Sequence, residues 1–364
     1  MRILVVDNSL ITYKNGGYYT NAMNGHFLDE LKVSNEITYF QFATKSGNDI
    51  NSYDLCKNGI NVIPVKYGRF KLLSYLCCVI KFILVLFSFD YVHLYYPNSL
   101  RILAIICKIF RKPYGIYLRG MTGVFDKFSY IIYKSAQGVY TVSDLFTDNI
   151  NEYLKRGVAH TIRPMISYDS SHIVFNRQYL SPDKFEFLYL GRLSIDKGLL
   201  ELVTALELLK SKGYTFHLRI VGDGAYSSEL KEIVHKKRLD SVISFEGPVY
   251  DNRIKSEYYK TSDVYILPSY HEGFPRTLYE AMIFGTPIIT TFVGGISGLM
   301  RDRVNCIEIK PRSIHSIEKQ LVYAMDNYDQ MINYALNARD LVCNVLSNRR
   351  ISHAGYINKV NNVK

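Results

Sequence analysis

Residues 263–291 run Asp-Val-Tyr-Ile-Leu-Pro-Ser-Tyr-His-Glu-Gly-Phe-Pro-Arg-Thr-Leu-Tyr-Glu-Ala-Met-Ile-Phe-Gly-Thr-Pro-Ile-Ile-Thr-Thr. The apolar start predicts a strand over 263–267 that opens into a polar loop. A helix is expected to begin near Pro275, since proline suits a first helical turn where its missing N–H has no partner. Free amides around Arg276, Thr277 and Leu278 would then make a positive helix terminus suited to a phosphate. Glu272 precedes that terminus, and Glu280 lies roughly 7–8 Å further along the axis. Two carboxylates flanking an anion site can accept hydrogen bonds from hydroxyls on either side of a diphosphate. A nucleotide-sugar has that layout. Taken singly, Glu280 reads as a solvated helix residue and Glu272 as a loop charge.

A second strand-end loop, over 185–198, brackets itself with Arg192 and Lys197 before a helix at about Gly198. A planar guanidinium and a point-like ammonium on one loop can neutralise a diphosphate, although surface loops often carry such pairs. Near the N-terminus, Asn15-Gly16-Gly17 follows strand 2–6 at the start of a helical stretch, 17–33. The paired glycines Gly16 and Gly17 suit close backbone approach to a phosphate or substrate, or else a plain turn. Gly222, in Val221-Gly222-Asp223-Gly224, reads as a tight strand-end turn that could wall a base.

Positioning these loops requires strands in alternation with helices. Apolar runs place strands at 2–6, 37–41, 61–65, 91–95, 114–118 and 138–142. A second set falls at 185–190, 216–221, 242–246, 263–267, 287–291 and 306–309, with helical stretches such as 72–88, 198–212 and 226–238 between strands. Such alternation means right-handed crossovers and parallel, doubly wound sheets. Two sets of six, in 364 residues, exceed one sheet and one core. The periodicity breaks near 160–184. The expected domains are 1–165, 166–345 and a C-terminal segment, 346–364, that packs back on the first.

Composition narrows the class. The chain is 48% hydrophobic and 21% charged, with 10 prolines and 23 glycines, which excludes disordered, collagenous and coiled-coil proteins. Forty-four Lys and Arg against 33 Asp and Glu leave +11, which favours an anionic partner without choosing one. Six scattered cysteines show neither zinc spacing nor a disulfide framework, so reduced cytoplasmic thiols are expected. No targeting peptide is expected, because the run Ile3–Val6 is short and meets Asp7 at once. Residues 72–89 are mostly apolar, but Lys81 splits them into uncharged runs of nine and eight. A lysine at mid-bilayer costs about 2.5–3.5 kcal/mol, so a helix packed on a sheet is the better reading.

The motifs also resemble a family. Gly191-Arg192-Leu193-x3-Lys197-Gly198 and Glu272-Gly273-Phe274-x5-Glu280-Ala281 are similar to those of the family 4, or group 1, retaining glycosyltransferases. Val221–Gly224, Phe245-x-Gly247, Asp263-x5-Ser269 and Gly294-Gly295-Ile296 follow in the family's order. The resemblance is dense over 183–310. It is looser before that, where Gly16-Gly17 and the stretch from Lys112-Pro113-Tyr114 to Arg119-Gly120 look like the glycine loop and the substrate-side loop. Arg119 stands where many relatives carry histidine, and Arg163-Pro164-Met165 replaces the usual Pro-Asn-Gly turn. The resemblance implies the GT-B fold, two facing Rossmann-like domains with an interdomain cleft. It implies that Arg192 and Lys197 hold a donor diphosphate, that Glu272 contacts the transferred sugar and that Glu280 binds the ribose. Amides of Gly273, Phe274, Thr277 and Leu278 would complete the cradle.

The expected activity is metal-independent, retaining transfer of a hexose or N-acetylhexosamine from a UDP-type sugar, with no cofactor, to a bacterial surface glycan (O-antigen or capsule) on a polyprenyl-diphosphate lipid. No Asp-x-Asp sits at a convincing strand end to imply a divalent ion. A sugar-nucleotide epimerase of the same fold is the alternative. A glycoside hydrolase would need no phosphate cradle. A nucleic-acid binder would show an aromatic-basic signature, helix-turn-helix or zinc spacing, which the sequence lacks. Its 31 tyrosines are dispersed. Between Lys66 and Lys112, eight cations (Lys66, Arg69, Lys71, Lys81, Arg101, Lys108, Arg111, Lys112) face one anion, Asp90. They interleave with the apolar runs Leu72–Ile80, Phe82–Phe89 and Ile102–Cys107. This pattern suits either peripheral contact with an anionic membrane, on the inner face of the cytoplasmic membrane, or core helices with solvated lysines.

Overall fold

The structure is a computed structural model that describes residues 1–45, 51–96, 100–118, 125–273, 275–347 and 350–361. Contacts divide the chain into two units, 1–165 with 350–364, and 166–349. Among the described residues the first unit has ten strands: β1 Arg2–Val6, β2 Ile11–Lys14, β3 Gly17–Thr20, β4 Glu36–Thr44, β5 Tyr53–Asp54, β6 Asn61–Lys66, β7 Tyr91–Tyr96, β8 Tyr114–Leu118, β9 Gly138–Thr141 and β10 Ala159–Thr161. Seven form a parallel sheet in the order β10-β9-β8-β7-β1-β4-β6. Inside it, between β7 and β4, lies β1, whose Ile3, Leu4, Val5 and Val6 are wholly buried because helices cover both faces.

The antiparallel hairpin β2–β3 and the short β5 extend this sheet. They correct the expected helix over 17–33. Asn15 and Gly16 both take positive φ, 49° and 77°, at the tip of a two-residue hairpin turn, and Gly17 starts β3. The helix begins only at Ala22, capped by the Asn21 side chain. Gly16 and Gly17 therefore do not form a loop entering a helix terminus.

The C-terminal helix His353–Asn361 belongs to this first unit. Asn35 donates to Asn358 at 2.8 Å, and Arg350 pairs with Asp144 at 2.6 Å. The His353 ring stacks on Phe27 at 4.5 Å and meets His93, on β7, at 4.7 Å. His93 is fully buried, neither ring nitrogen has a partner among the described residues, and burial pushes its pKa down to about 3. The unfolded chain therefore binds a proton near pH 6.5 that the folded unit refuses. The stability of this unit should be complete above that pH and fall progressively as the pH drops toward about 3, by on the order of 2 kcal/mol near pH 5. His93→Phe should flatten that slope in denaturant titrations across pH, and an unchanged slope would refute the assignment.

The second unit carries β11 Phe185–Leu190, β12 Phe216–Val221, β13 Ile243–Gly247, β14 Val264–Leu267, β15 Ile288–Thr291 and β16 Ile307–Ile309. They form a parallel sheet in the order β13-β12-β11-β14-β15-β16. Numbered from the unit's own start, this is 3-2-1-4-5-6, the arrangement of dinucleotide-binding doubly wound sheets. The order reverses between β11 and β14. Loops at the carboxyl ends of those two strands diverge to opposite faces and leave a crevice there.

Candidate active site

The loops after β11 and β14 are the two that carry Arg192, Lys197 and Glu272. Their backbones are laced together before any side chain acts. Gly191 N–H donates to Val221 O at 3.0 Å, Leu193 N–H to Asp223 O at 2.9 Å and Gly222 N–H to Gly247 O at 2.8 Å. Gly222 has φ 141°, and a Cβ there would lie 1.9 Å from Gly191 O. Its lack of a side chain is thus needed for strand-end packing, whatever lies beyond it.

Across the switch point, Tyr270 N–H donates to Asp196 O at 2.8 Å. Gly198, at φ 67°, ends the short 3-10 turn Ile195–Lys197, and its hydrogen sits where a Cβ would come within 2.2 Å of Pro268 O. Gly198→Ala should lose about 1–2 kcal/mol from the left-handed backbone alone and more from this contact. Chemical denaturation of the second unit measures the loss; an unshifted transition would show the approach to be looser than described.

This lacing brings Lys197 to Glu272, 75 residues away. Nζ lies 2.7 Å from Oε1, with only 14% and 11% of the two side chains exposed. The Ser269 hydroxyl donates to the same Oε1 at 2.7 Å, and its own carbonyl accepts from Thr291 Oγ1 at 2.7 Å. Asp196 stands 3.9 Å from Lys197 Nζ. Burial raises the Asp196 pKa, but the Ser194 hydroxyl, Lys197 and Arg192 outweigh it and hold the carboxyl below its ordinary value. Arg192 remains mostly exposed, 4.0 Å from Asp196.

The helix Arg276–Ile283 follows, with Pro275 as its N-cap residue instead of its first helical residue. Leu278 N–H already donates to Pro275 O at 3.2 Å, so it is not one of the free amides the sequence suggested. Thr277 accepts from the buried Tyr265 hydroxyl at 2.6 Å, which fixes the first turn. Gly273 O accepts from Gly295 N–H at 3.1 Å, tying the Glu272 loop to the turn Gly294–Gly298. Phe274 and Arg119 lie outside the described residues. Glu280 is not a solvated helix residue: it is 6% exposed and accepts from the Tyr259 hydroxyl at 2.9 Å. Burial, then the Glu280 charge, drives the Tyr259 pKa well above its ordinary value, so Tyr259 remains a donor. Lys197, Glu272 and Ser269 thus form one cluster, and Gly16 and Gly17 belong to the other unit.

The first unit has its own switch point, between β1 and β7. A pocket of 190 Å³ at the carboxyl ends of β1 and β4 is lined by Asp7, Asn8, Leu10, Gln41, Phe42 and neighbours. The wholly buried Asp7 carboxylate accepts from Tyr39 at 2.6 Å and Ser9 at 2.8 Å. In the sequence Asp7 is marked as a site residue by one signal, a carboxylate at the carboxyl end of an interior apolar strand.

Comparison with known proteins gives the class. Residues 173–340 match the family described as glycosyl transferases group 1. TuaC of Bacillus subtilis, whose name places it among teichuronic acid biosynthesis glycosyltransferases, is 32% identical over 134 residues, 37% of this chain and 31% of its own. The D-inositol 3-phosphate glycosyltransferase of an Arthrobacter strain is 33% identical over 123 residues, 33% of this chain and 29% of its own. The matches span about a third of the length of these curated relatives. The crystal structure of Anabaena HepE in complex with UDP-glucose superposes with a TM-score of 0.69 at 17% identity, covering 100% of this chain and 99% of that one. That likeness establishes the fold, GT-B, with two Rossmann-like domains. Over residues 173–340 the chain is therefore similar to the group 1 glycosyltransferases.

Proposed function

We propose that the chain is a retaining glycosyltransferase. It moves a hexose or N-acetylhexosamine from a nucleotide-diphosphate sugar, with UDP as the nucleotide, to a hydroxyl of a lipid-linked bacterial surface glycan. The observation that carries this reading is the buried Lys197–Glu272 pair beside the start of helix Arg276–Ile283, at the point where the strand order reverses. A nucleotide diphosphate laid along that helix terminus would meet Lys197 and Arg192 at its phosphates. Glu280 would meet its ribose, and Glu272 the sugar hydroxyls. UDP-glucose in the HepE complex and the polymer named for TuaC support the choice of donor and pathway.

The chemistry would be electrostatic. As the bond between the sugar's anomeric carbon and the diphosphate oxygen breaks, Lys197, Arg192 and the helix dipole take up the negative charge. The acceptor hydroxyl attacks from the face the diphosphate is leaving and gives its proton to the departing phosphate oxygen, so configuration is retained. With the charge compensated by side chains, no metal is required, and turnover should persist in a chelator. The acceptor would bind on the first unit, with the Asp7 pocket and the Gly16–Gly17 turn as its candidate contacts. Thermal shift against nucleotide-sugars tests the reading, since a ligand at about 100 times its dissociation constant adds about 2.7 kcal/mol. No shift with any nucleotide-diphosphate sugar would overturn it.

A further inference from the structure

The helix Lys71–Leu86 and its cap residue Phe87 are apolar on both sides, yet only one side is covered. Ser74, Cys78, Phe82 and Leu86, spaced by four, face the sheet and are buried. On the opposite side Leu72, Leu73, Leu76, Ile80, Leu84 and Phe87 are between 51% and 85% exposed. At 3.6 residues per turn these six fall within a single arc running the helix's full length, about 24 Å. A helix apolar all round is ordinarily enclosed by protein or lipid. No helix among the described residues is long and apolar enough to cross a membrane. The patch continues onto the next helix, Arg101–Ile109, where Phe110 meets Phe87 edge-on at 5.5 Å and Ile109 is 67% exposed.

Charge says what covers this face. From residue 55 to residue 125 the only carboxylate is Asp90. Exposed Arg69 and Lys71 stand at one end of the stripe, and exposed Lys108 and Arg111 beside Phe110 at the other. Two of the eight cations counted in the sequence are otherwise engaged: Lys81 donates to Pro64 O at 2.8 Å, and Arg101 pairs with Asp126 at 2.9 Å. Most of the run Ile102–Cys107 is core. A second copy docking by this patch would set cations against cations, because a two-fold contact pairs a surface with itself. An anionic lipid surface meets both features, taking the leucines into its acyl boundary and the cations at its headgroups.

We propose that the outer face of Lys71–Phe87, with Ile109 and Phe110, is a docking surface for an anionic lipid bilayer, on which this helix lies in the interfacial plane. The test uses the full chain without any sugar substrate, so it stands or falls independently of the transferase reading. In flotation with vesicles of equal parts phosphatidylglycerol and phosphatidylcholine, the protein should float at low salt. It should bind at least roughly tenfold more weakly in about 1 M salt, where the Debye length is about 3 Å. Ile80→Glu with Leu84→Glu, both at exposed positions, should abolish flotation. Arg69→Glu, Lys71→Glu and Lys108→Glu together should weaken it at least about a hundredfold. Circular dichroism and melting of each variant should match the parent. Failure of the parent to float would overturn the proposal, as would flotation unaffected by Ile80→Glu with Leu84→Glu. A parent dimer that does not float and becomes a monomer on those two substitutions would assign the face to a second copy instead.

Discussion

Lys197→Ala should lower turnover by about two to three orders of magnitude, the usual effect of deleting one electrostatic stabiliser of a developing anion. It should also destabilise the second unit. Lys197 and Glu272 are mostly buried and share a 2.7 Å contact, so alanine leaves a nearly enclosed carboxylate with the Ser269 hydroxyl as its remaining described partner. Breaking a fully buried pair costs about 3–5 kcal/mol; the residual exposure here makes the loss smaller. The two effects separate in a double variant. Lys197→Ala with Glu272→Gln removes the stranded charge and should recover most of the stability in urea titrations while recovering no turnover. Arg192→Ala supplies the complementary control. Its side chain is mostly exposed and touches Asp196 only at 4.0 Å, so stability should stay within about 0.5 kcal/mol while UDP affinity falls. Unchanged turnover in Lys197→Ala would remove the lysine from the diphosphate.

The strands were legible because parallel strands buried on both faces read as apolar runs. All twelve expected strands occur, with ends that differ by three residues or fewer. The hairpin Ile11–Thr20 is obscured in the sequence by the helical pattern that follows at Ala22, although Asn15-Gly16 between Tyr and Thr residues is a strong two-residue turn signal. The site was legible as residue types on strand-end loops but not as pairings. Nothing local relates Lys197 to Glu272 across 75 residues, or places Tyr259 against Glu280 across 21. Burial of Glu280 follows from what packs around its helix, and the Gly222 and Gly198 close approaches exist only once neighbouring strand ends are assembled. For Lys71–Leu86, a sequence apolar on every side could not say which side the sheet would leave open.

Glu280→Ala should raise the donor KM by roughly ten- to a hundredfold, the range for losing hydrogen bonds to a charged group, and leave kcat within a few-fold. A ribose contact is made equally in the ground and transition states, so its loss appears in KM and not in the chemical step. The buried Tyr259 hydroxyl complicates a single substitution, because alanine also strands that donor beside the helix. Tyr259→Phe isolates this: it keeps the carboxylate and removes only the inner hydrogen bond. It should cost stability, about 1–3 kcal/mol, with a smaller rise in KM. A donor lacking the ribose hydroxyls then completes a cycle. If Glu280 accepts from those hydroxyls, the deoxy donor should bind the parent more weakly yet bind Glu280→Ala about as well as the intact donor does. Additive losses would make Glu280 a positioning residue for Tyr259 alone, and the ribose would need another acceptor.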